Sequence, residues 1–486
     1  MRNQDKFKQS RKQECRHAKE AERHQRSEAR HGSQRSRDFR PKGSQEIDDP
    51  VPMLQAGSLF AKAALIGSRS VRAGEVTTSP PFLQKGESMK KVLPLGCDLW
   101  LVQGSARWAI YDLARGVIIQ ITHQAGRFLT RIINLHGSIQ SKIATIKKEM
   151  PQVYGAIQGE SSAEQLFAAP INQEFSFPNY MIWIEVTDAC NQECSHCYTR
   201  SITRGNFLDR VLLRKLILQA SRLRFQQAQF TGGEPFLYPD LWHYIDYARE
   251  LDGIPLIEIY SNLTLITDRD IELMKRYKIK IATTLLGSRP EVHDRCTMIK
   301  GSFERFIKNI RKVRDAGIEF RVGVVRTPEN QDDMSQIEML MQREKLIVRQ
   351  KSFAPDDVRP VDRGEEHSVS VSKHLNGLYL HVDRKFFNMA RQWNTCWGGE
   401  LAVTSKGDVL PCIFARDQIM GNICRQNLQS IINGRAQKYW SVTLDKVDKC
   451  KDCEYRFACI DCRVLSLKAG KGFYGEPQRC DYDPYN

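Results

Sequence analysis

The segment Tyr180-Met-Ile-Trp-Ile-Glu-Val186 is largely apolar, and Cys190-Asn-Gln-Glu-Cys-Ser-His-Cys197 follows it almost directly. A short apolar run bounded by polar residues is typical of a buried strand. A second distinctive stretch, Thr231-Gly-Gly-Glu-Pro235, follows the next strand-like run at Gln227 to Phe230. These two strand-plus-motif units decide the fold and the site that we expect of this chain.

The first unit places three thiols, those of Cys190, Cys194 and Cys197, on one short loop. Cuboidal iron–sulfur clusters are usually held by four cysteines, so three thiolates leave one iron open to a ligand that is not protein. A structural zinc site is the alternative, with His196 as the fourth ligand. That alternative leaves Thr231-Gly-Gly-Glu-Pro235 unexplained, and we therefore favour the iron–sulfur interpretation.

Strand-like and helical runs alternate between Tyr180 and about Ile347. The predicted strands are Ile182 to Val186, Gln227 to Phe230, Leu256 to Tyr260, Lys280 to Thr284 and Phe320 to Val325. The predicted helices are Val211 to Leu223, Leu241 to Leu251, Asp268 to Tyr277 and Phe303 to Ala316. This alternation predicts a parallel sheet, and functional residues of parallel α/β barrels gather at the carboxyl ends of the strands.

With these segments the chain resembles the radical S-adenosylmethionine (SAM) enzymes, in which a Cys-x3-Cys-x2-Cys loop follows the first strand of a partial (β/α)6 barrel. The resemblance implies that the open iron of a [4Fe–4S] cluster binds SAM. It also implies reductive cleavage of SAM to a 5′-deoxyadenosyl radical, with electrons from a flavodoxin- or ferredoxin-like donor.

The same resemblance assigns contacts with SAM to residues at the strand ends. Glu234 is expected to meet the methionine amine, and Arg326 is expected at the SAM carboxylate, a surface ion pair being the alternative for Arg326. The predicted SAM-binding residues are Gly232, Gly233, Glu234, Pro235, Ser261, Asn262, Thr284 and Arg326. Ser261 and Asn262 stand where the family often has Thr-Asn-Gly, with Leu263 in place of the glycine. No catalytic side chain is assigned.

A second cysteine array lies towards the carboxyl terminus and resembles the SPASM domain of peptide- and protein-modifying radical SAM enzymes. Its members are Cys396, Cys412, Cys450, Cys453, Cys459, Cys462 and Cys480. The resemblance implies two auxiliary [4Fe–4S] clusters, one held by Cys450, Cys453, Cys459 and Cys480, the other by Cys396, Cys412 and Cys462. The second set is one ligand short, and either Cys424 or an open iron completes it. Two zinc sites are the alternative for the whole array.

The chain divides into five predicted parts. Residues 1–88 are a basic extension that is disordered or not translated, 89–175 a candidate peptide-recognition domain, 176–350 the radical SAM core, 351–395 a bridge, and 396–486 the SPASM domain. In 89–175, three predicted strands and then helices resemble a winged-helix peptide-recognition element and the grasp-with-spasm type of peptide maturase. A simple packing domain is the alternative.

Composition sets the class and the compartment. The 486 residues include 14 cysteines and carry a formal charge of +16, much of it in residues 1–47. Because that arm lacks interleaved aromatic residues, we do not expect nucleic-acid binding. No stretch reaches the roughly 18 to 20 apolar residues that span a bilayer, so we expect no membrane partner and a cytoplasmic location.

The expected function is therefore SAM-dependent modification of a ribosomally synthesised precursor peptide or a protein side chain, most readily a thioether or carbon–carbon crosslink. The same scaffold also fits formylglycine formation of the anaerobic sulfatase-maturase kind, and peptide epimerisation. A hypothesis from another class is a non-enzymatic binding protein stabilised by zinc or clusters.

Overall fold

The computed structural model describes residues 91–158, 166–167, 179–201, 203–347, 356–357, 382–460, 462–478 and 480–486. The predictions for residues 1–88 and for most of the 351–395 bridge lie outside these ranges. Among the described residues, no helix is both long enough and apolar enough to cross a membrane.

The amino-terminal unit is a four-stranded antiparallel sheet followed by three helices. The strands, in spatial and sequence order, are β1 (Val92–Pro94), β2 (Leu99–Gln103), β3 (Arg107–Asp112) and β4 (Val117–Thr122). The helices are α1 (His123–Asn134), α2 (Ile139–Glu149) and α3 (Pro151–Gln158). The three strands expected here are present and β1 is added at the edge. The resemblance to a winged-helix element stays a prediction.

The radical SAM-like core alternates strands and helices as expected. Its strands are β5 (Met181–Thr187), β6 (Gln227–Gly232), β7 (Leu256–Tyr260), β8 (Lys280–Leu285), β9 (Phe320–Arg326) and β10 (Asp356–Asp357), all parallel to their neighbours. Its helices are α4 (Arg210–Arg222), α5 (Leu241–Glu250), α6 (Asp268–Arg276), α7 (Pro290–Thr297), α8 (Ser302–Asp315) and α9 (Met334–Arg343). Six parallel strands with helices on the outside confirm the partial (β/α)6 barrel.

Local chemistry explains where these helices begin. At α6 the side chain of Thr267 accepts from the backbone N–H of Asp270, and the Asp270 side chain accepts from the Thr267 backbone in return. This reciprocal pair satisfies two N–H groups that a helix start leaves without partners. At α4, Asp209 accepts from the backbone N–H groups of Val211 and Leu212. Helix starts are thus readable from sequence.

The carboxyl-terminal segment extends the barrel sheet instead of forming a separate sheet. After α10 (Arg384–Gln392), strand β11 (Glu400–Val403) pairs in parallel with β5, and β12 (Asp408–Leu410) and β13 (Gly421–Asn422) follow antiparallel. Short helices α11 (Leu428–Ile431), α12 (Gln437–Trp440) and α13 (Arg463–Lys468) complete the chain. The strand order is β10-β9-β8-β7-β6-β5-β11-β12-β13. The cysteine array therefore begins just before a strand that pairs with the one leading to Cys190.

Candidate functional site

A pocket opens at the carboxyl ends of strands β5 to β9. Its empty volume is about 1360 Å³, including the open solvent at its mouth. All three cysteines of the first loop line it, together with five of the predicted SAM-binding residues. Those five are Gly232, Gly233, Ser261, Asn262 and Thr284. The structure therefore brings most of the predicted site together at the expected edge of the sheet.

The two glycines after β6 are required by a close backbone approach. A Cβ on Gly232 would lie 1.9 Å from the carbonyl oxygen of Thr187, and a Cβ on Gly233 would lie 2.0 Å from that of Ala189. The backbone N–H of Gly233 donates to Thr187 O at 2.8 Å. Since Thr187 and Ala189 directly precede Cys190, the glycines hold the cysteine loop against the neighbouring strand end.

Glu234 braces the strand ends and does not face the pocket. Its carboxylate is fully buried and accepts from the backbone N–H of Phe236 at 3.1 Å, the hydroxyl of Ser261 at 2.8 Å and the backbone N–H of Asn262 at 2.8 Å. Burial raises the pKa of Glu234 to about 7, although these three donors oppose the shift. Pro235 is also buried and begins a 3-10 turn, Pro235–Leu237. Direct SAM contact by Glu234 and Pro235 stays a prediction.

Asn262 links this brace to the cysteine loop. Its side-chain N–H groups donate to Asn191 Oδ1 at 2.8 Å and to Cys190 Sγ at 3.9 Å. The next residue, Leu263, has φ of 62°, the left-handed conformation that favours glycine. Leucine therefore adopts, at the position where the family often has glycine, a conformation that glycine reaches more readily.

Thr284 lies in the pocket and Arg326 does not line it. The Thr284 hydroxyl is 2.7 Å from the Tyr260 hydroxyl, which places both on the same wall. The arginine among the lining residues is Arg321, five positions earlier on β9. Its guanidinium donates twice to Glu258, each time at 3.0 Å, and lies over the Tyr260 ring. The assignment of Arg326 to the SAM carboxylate stays a prediction.

Sequence reasoning missed several pocket residues that lie on the inner face of the strands. Gln229, Tyr260 and Arg321 alternate with buried apolar residues along β6, β7 and β9. A strand alternates its side chains between two faces, so a polar residue at every second position of an apolar strand marks the face towards the barrel interior. That alternation was the available signal.

His293 is another pocket residue that sequence reasoning did not assign. Its Nδ1 accepts from the backbone N–H of Leu286 at 3.3 Å, which places the proton of the neutral ring on Nε2. Burial lowers the pKa of His293 to about 4. The ring is therefore neutral near pH 7.

The thiols of the first loop lie close enough to interact electrostatically. Burial raises the pKa of Cys190 to about 12, and the negative charges of Glu234 and Cys197 add to the shift. Burial likewise raises the pKa of Cys194, with further contributions from Cys197 and Cys190. A set of buried thiols of this kind suits a cationic metal cluster, which stabilises the thiolate form.

The segment after Cys412 forms part of the same pocket. Ile413 and Phe414 line it, and the Phe414 ring packs edge-on against Tyr198, the residue after Cys197. Arg416 donates from Nη1 to Glu185 Oε1 at 2.5 Å, near the end of β5. The segment that follows Cys412 therefore lines the same cavity as the first cysteine loop.

The second array gathers into the two predicted groups. Cys396 and Cys462 share a side-chain hydrogen bond, and Cys412 lies near enough to act on Cys396. In the other group, burial raises the pKa of Cys453 to about 12 and charge on Cys480 contributes. Cys459 packs against the small cluster that contains Cys450. Both groups fit the iron–sulfur assignment in their donor type and grouping.

A mononuclear site is a different matter. In the part of the chain that the structure describes, no three His, Cys, Asp or Glu side chains are placed to hold one metal ion. Ligands of a four-iron cluster each bind a different iron, so they lie further apart than ligands of a single ion.

Cys424, expected as a substitute fourth ligand, lies at the wrong end of the β11–β12 hairpin. A Cβ on Gly407, in the hairpin turn, would be 3.5 Å from its sulfur. Cys412 follows the opposite end of β12, whose three residues span roughly 10 Å. The structure therefore separates Cys424 from Cys396, Cys412 and Cys462.

The amino-terminal sheet packs on the auxiliary group of Cys450, Cys453, Cys459 and Cys480. Tyr111 Oη donates to the carbonyl of Glu454 at 2.8 Å, and Gln120 Nε2 donates to the Glu454 carboxylate at 2.7 Å. Arg456 Nη1 donates to the carbonyl of Gln103 at 2.8 Å. Since Glu454 follows Cys453, this sheet supports the cysteine loop directly.

Comparisons with known proteins agree with this architecture. Residues 184–341 match the radical SAM superfamily, and residues 396–454 match SPASM, an iron–sulfur cluster-binding domain. The antilisterial bacteriocin subtilosin biosynthesis protein AlbA of Bacillus subtilis is 25% identical, across 64% of this chain and 73% of that protein. An AdoMet-dependent heme synthase of Oleidesulfovibrio alaskensis is 24% identical, across 62% and 86%. The crystal structure of Streptococcus suis SuiB bound to S-adenosylmethionine has 18% identity and a TM-score of 0.47, across 79% and 99%.

Proposed function

The chain is a radical SAM enzyme with a SPASM iron–sulfur domain, and on that premise we propose that it modifies a ribosomally synthesised peptide or protein side chain. The observation that carries the proposal is the pocket that Cys190, Cys194 and Cys197 line together with Ile413 and Phe414. A substrate bound there contacts both the SAM site and the segment next to the auxiliary cysteines. The relative named for subtilosin biosynthesis supports a peptide as that substrate.

In this proposal Cys190, Cys194 and Cys197 hold the first cluster, and the other two sets of cysteines hold the auxiliary clusters. When bound, the first cluster and SAM together supply a 5′-deoxyadenosyl radical that abstracts hydrogen from the substrate. Gly232, Gly233 and Asn262 place the cysteine loop against the strand ends.

The remaining pocket residues orient the bound molecules and exclude water. Tyr260 and Thr284 offer hydroxyl groups from one wall, and His293 offers its Nε2 proton. Phe414 and Ile413 add apolar surface to the same pocket. A largely apolar wall limits solvent access, which protects a reactive intermediate from side reactions.

We further propose that the protein acts in the cytoplasm and receives electrons from a flavodoxin- or ferredoxin-like protein. Thiolate ligands must stay reduced, and the cytoplasm keeps thiols in that state. The amino-terminal sheet is proposed to bind the precursor peptide, because a peptide can add as a strand to an exposed sheet edge. A crosslink is the proposed product, and an auxiliary cluster held by the SPASM cysteines would supply an acceptor for the surplus electron.

Anaerobic reconstitution tests the proposal. We expect about twelve irons per chain, four for each of three clusters, and SAM cleavage to 5′-deoxyadenosine upon reduction. The C190A/C194A/C197A variant should lose cleavage and about a third of the iron, whereas C97A should lose neither. Bound zinc in place of iron, or cleavage that survives the triple substitution, would refute the assignment.

Co-expression with short open reading frames next to the gene identifies the substrate. A crosslink removes two hydrogens from the peptide, and mass spectrometry detects this loss. Epimerisation leaves the peptide mass unchanged, and formylglycine formation changes a single Cys or Ser. A modified small molecule with no altered peptide would contradict the peptide-maturase proposal.

A further inference from the structure

The first cysteine loop ends in a turn that folds back on Cys197. The backbone N–H of Arg200 donates to the carbonyl of Cys197 at 3.4 Å, which closes a four-residue turn. Arg200 itself has φ of 50°, in the left-handed region, so the chain changes direction there. The turn brings Thr199 and Ser201 to the sulfur of Cys197. That sulfur holds the first cluster in the proposed function, on which this inference rests.

Two groups on this turn contact the Cys197 sulfur. The backbone N–H of Ser201 lies 3.4 Å from it, and the hydroxyl oxygen of Thr199 lies 3.3 Å from it. Backbone contacts of the same kind recur elsewhere, since an N–H two residues further on lies 3.4 Å from the sulfurs of Cys190, Cys412 and Cys453. The Thr199 hydroxyl is a side-chain contact in addition to the backbone one, so substitution can remove it.

The Ser201 side chain extends this contact to the pocket. Its hydroxyl is hydrogen-bonded to the Thr199 hydroxyl, and Ser201 lines the pocket although the residue is only 2% exposed. Serine and threonine hydroxyls in turns commonly bond to nearby backbone groups. Among the hydrogen bonds of the described residues, neither of these hydroxyls has a backbone partner. The two hydroxyls therefore form a short chain from the pocket wall to the sulfur.

Iron ligation fixes the direction of this chain. A cysteine that binds iron is a thiolate, which accepts hydrogen bonds and has no proton to donate. The Thr199 hydroxyl must then donate to the Cys197 sulfur. Its one proton is used there, so the Ser201 hydroxyl donates to the Thr199 oxygen. Hydrogen bonds that run in one direction polarise and strengthen one another, so Ser201 reinforces the bond that Thr199 makes.

We propose that the Thr199 hydroxyl, positioned by Ser201, raises the reduction potential of the first cluster through its hydrogen bond to Cys197. Reduction by one electron adds a negative charge to the cluster and its sulfur ligands. A donor to a ligand sulfur stabilises the reduced form more than the oxidised form, and hydrogen bonds to the sulfurs are among the features that set cluster potentials. A weaker reductant can then supply the electron that SAM cleavage requires.

Midpoint potentials of the full chain with its clusters test the proposal without any measurement of activity. T199V removes the first hydroxyl, T199S retains it, and S201A removes the second. S195A is the matched control, because Ser195 lies in the same loop, is 8% exposed and has a hydroxyl without a hydrogen bond among the described residues. The electron paramagnetic resonance signal of the first cluster is identified by its loss in C190A/C194A/C197A, and it is followed as the solution potential is lowered.

We expect T199V to make reduction of the first cluster about tenfold less favourable, which for a one-electron couple is a change of about 59 mV to a more negative potential. This is near the lower end of what one hydrogen bond to a charged group contributes. S201A should shift the potential in the same direction by a smaller amount. T199S and S195A should match the parent, and all four variants should keep the parent's iron content.

The parent's potential in either T199V or S201A would overturn the proposed hydroxyl chain, as would a shift in S195A as large as that in T199V. If T199V does not retain the first cluster, T199A takes its place in the comparison, and the signals of the auxiliary clusters report folding in every variant. If C190A/C194A/C197A loses no cluster signal, the assignment of the first cluster to these cysteines fails instead, so the two failures are distinguishable.

Discussion

The ion pair between Arg416 and Glu185 joins the segment after Cys412 to the strand that leads to Cys190, and its removal is the most informative stability test. Glu185 is 0% exposed and Arg416 is 23% exposed, with Nη1 and Oε1 2.5 Å apart. In R416M the methionine fills a similar volume but carries no charge. The Glu185 carboxylate then remains buried without this cation.

Breaking a buried pair by removing one partner typically costs about 3 to 5 kcal/mol, since the remaining charge stays desolvated. Because Arg416 retains some solvent contact, we take the lower end and expect R416M to lower the free energy of unfolding by about 3 kcal/mol. The double variant E185Q/R416M carries no buried charge here and should recover most of that loss.

Urea unfolding of the cluster-free protein, followed by tryptophan fluorescence, measures these differences. The matched control is R210M, because the Arg210–Asp240 pair is open to solvent, with side chains 63% and 54% exposed. Exposed pairs contribute about 0 to 1 kcal/mol. If R416M costs no more than R210M, or if E185Q fails to rescue it, the reasoning is wrong.

Three further predictions follow from the site. G233A should lower iron occupancy of the first cluster, since its Cβ would lie 2.0 Å from Ala189 O, whereas G155A, with open space around it, should be harmless or stabilising; equal iron content in both would contradict this. The pKa of Glu234 is about 7, above its usual 4.5, so between these pH values the folded state holds a proton that the unfolded state has lost. The contribution of protonated Glu234 to the free energy of unfolding is complete below about pH 4.5 and is lost as pH rises through 7. Relative to E234Q, the unfolding free energy of the parent should fall by roughly 3 kcal/mol across that interval, and a flat difference would count against it. The pKa of His293 is lowered from 6.5 to about 4, so the contribution of the neutral ring to the free energy of unfolding is present above about pH 6.5 and is lost as pH falls towards 4. The H293N variant should lack this loss of stability at acid pH. A loss as large as that of the parent protein would disprove the prediction.

Much of the barrel was predictable from sequence because its signals are local. The strands at Leu256–Tyr260 and Lys280–Leu285 and the helix at Asp268–Arg276 agree with their predicted bounds to within a residue. Apolar runs and capping residues such as Thr267 act over a few positions, so they survive in any tertiary context. Helices α7 and α9 and the two-residue strand β10 were not predicted. Pro290 begins a mostly polar segment, and β10 is too short to show a period.

The pocket residues that belong to sequence motifs were predicted, and those marked only by the alternation of side chains along a strand were not. Gly232, Gly233, Ser261, Asn262 and Thr284 were expected in the pocket and line it. Glu234 was expected at SAM, yet in the structure three donors hold its carboxylate behind the pocket wall. Arg321 is an internal residue of its strand, outside any motif, and only the alternation along that strand indicated that it faces the barrel interior.

The sequence by itself determined the chemistry of this protein: the three-cysteine loop, the Gly-Gly-Glu-Pro turn after the second strand, and the seven-cysteine array. Those features depend on residue type and spacing along a few tens of residues. The tertiary structure decided that β11 pairs with β5, and with it that Ile413 and Phe414 close the SAM pocket. It also decided that Cys424 lies beside the hairpin turn at Gly407, whereas Cys412 follows the opposite end of β12. These contacts arise because strands that are distant in sequence pair with each other. The backbone hydrogen bonds of a parallel pair do not depend on residue type, so neither strand's sequence identifies its partner.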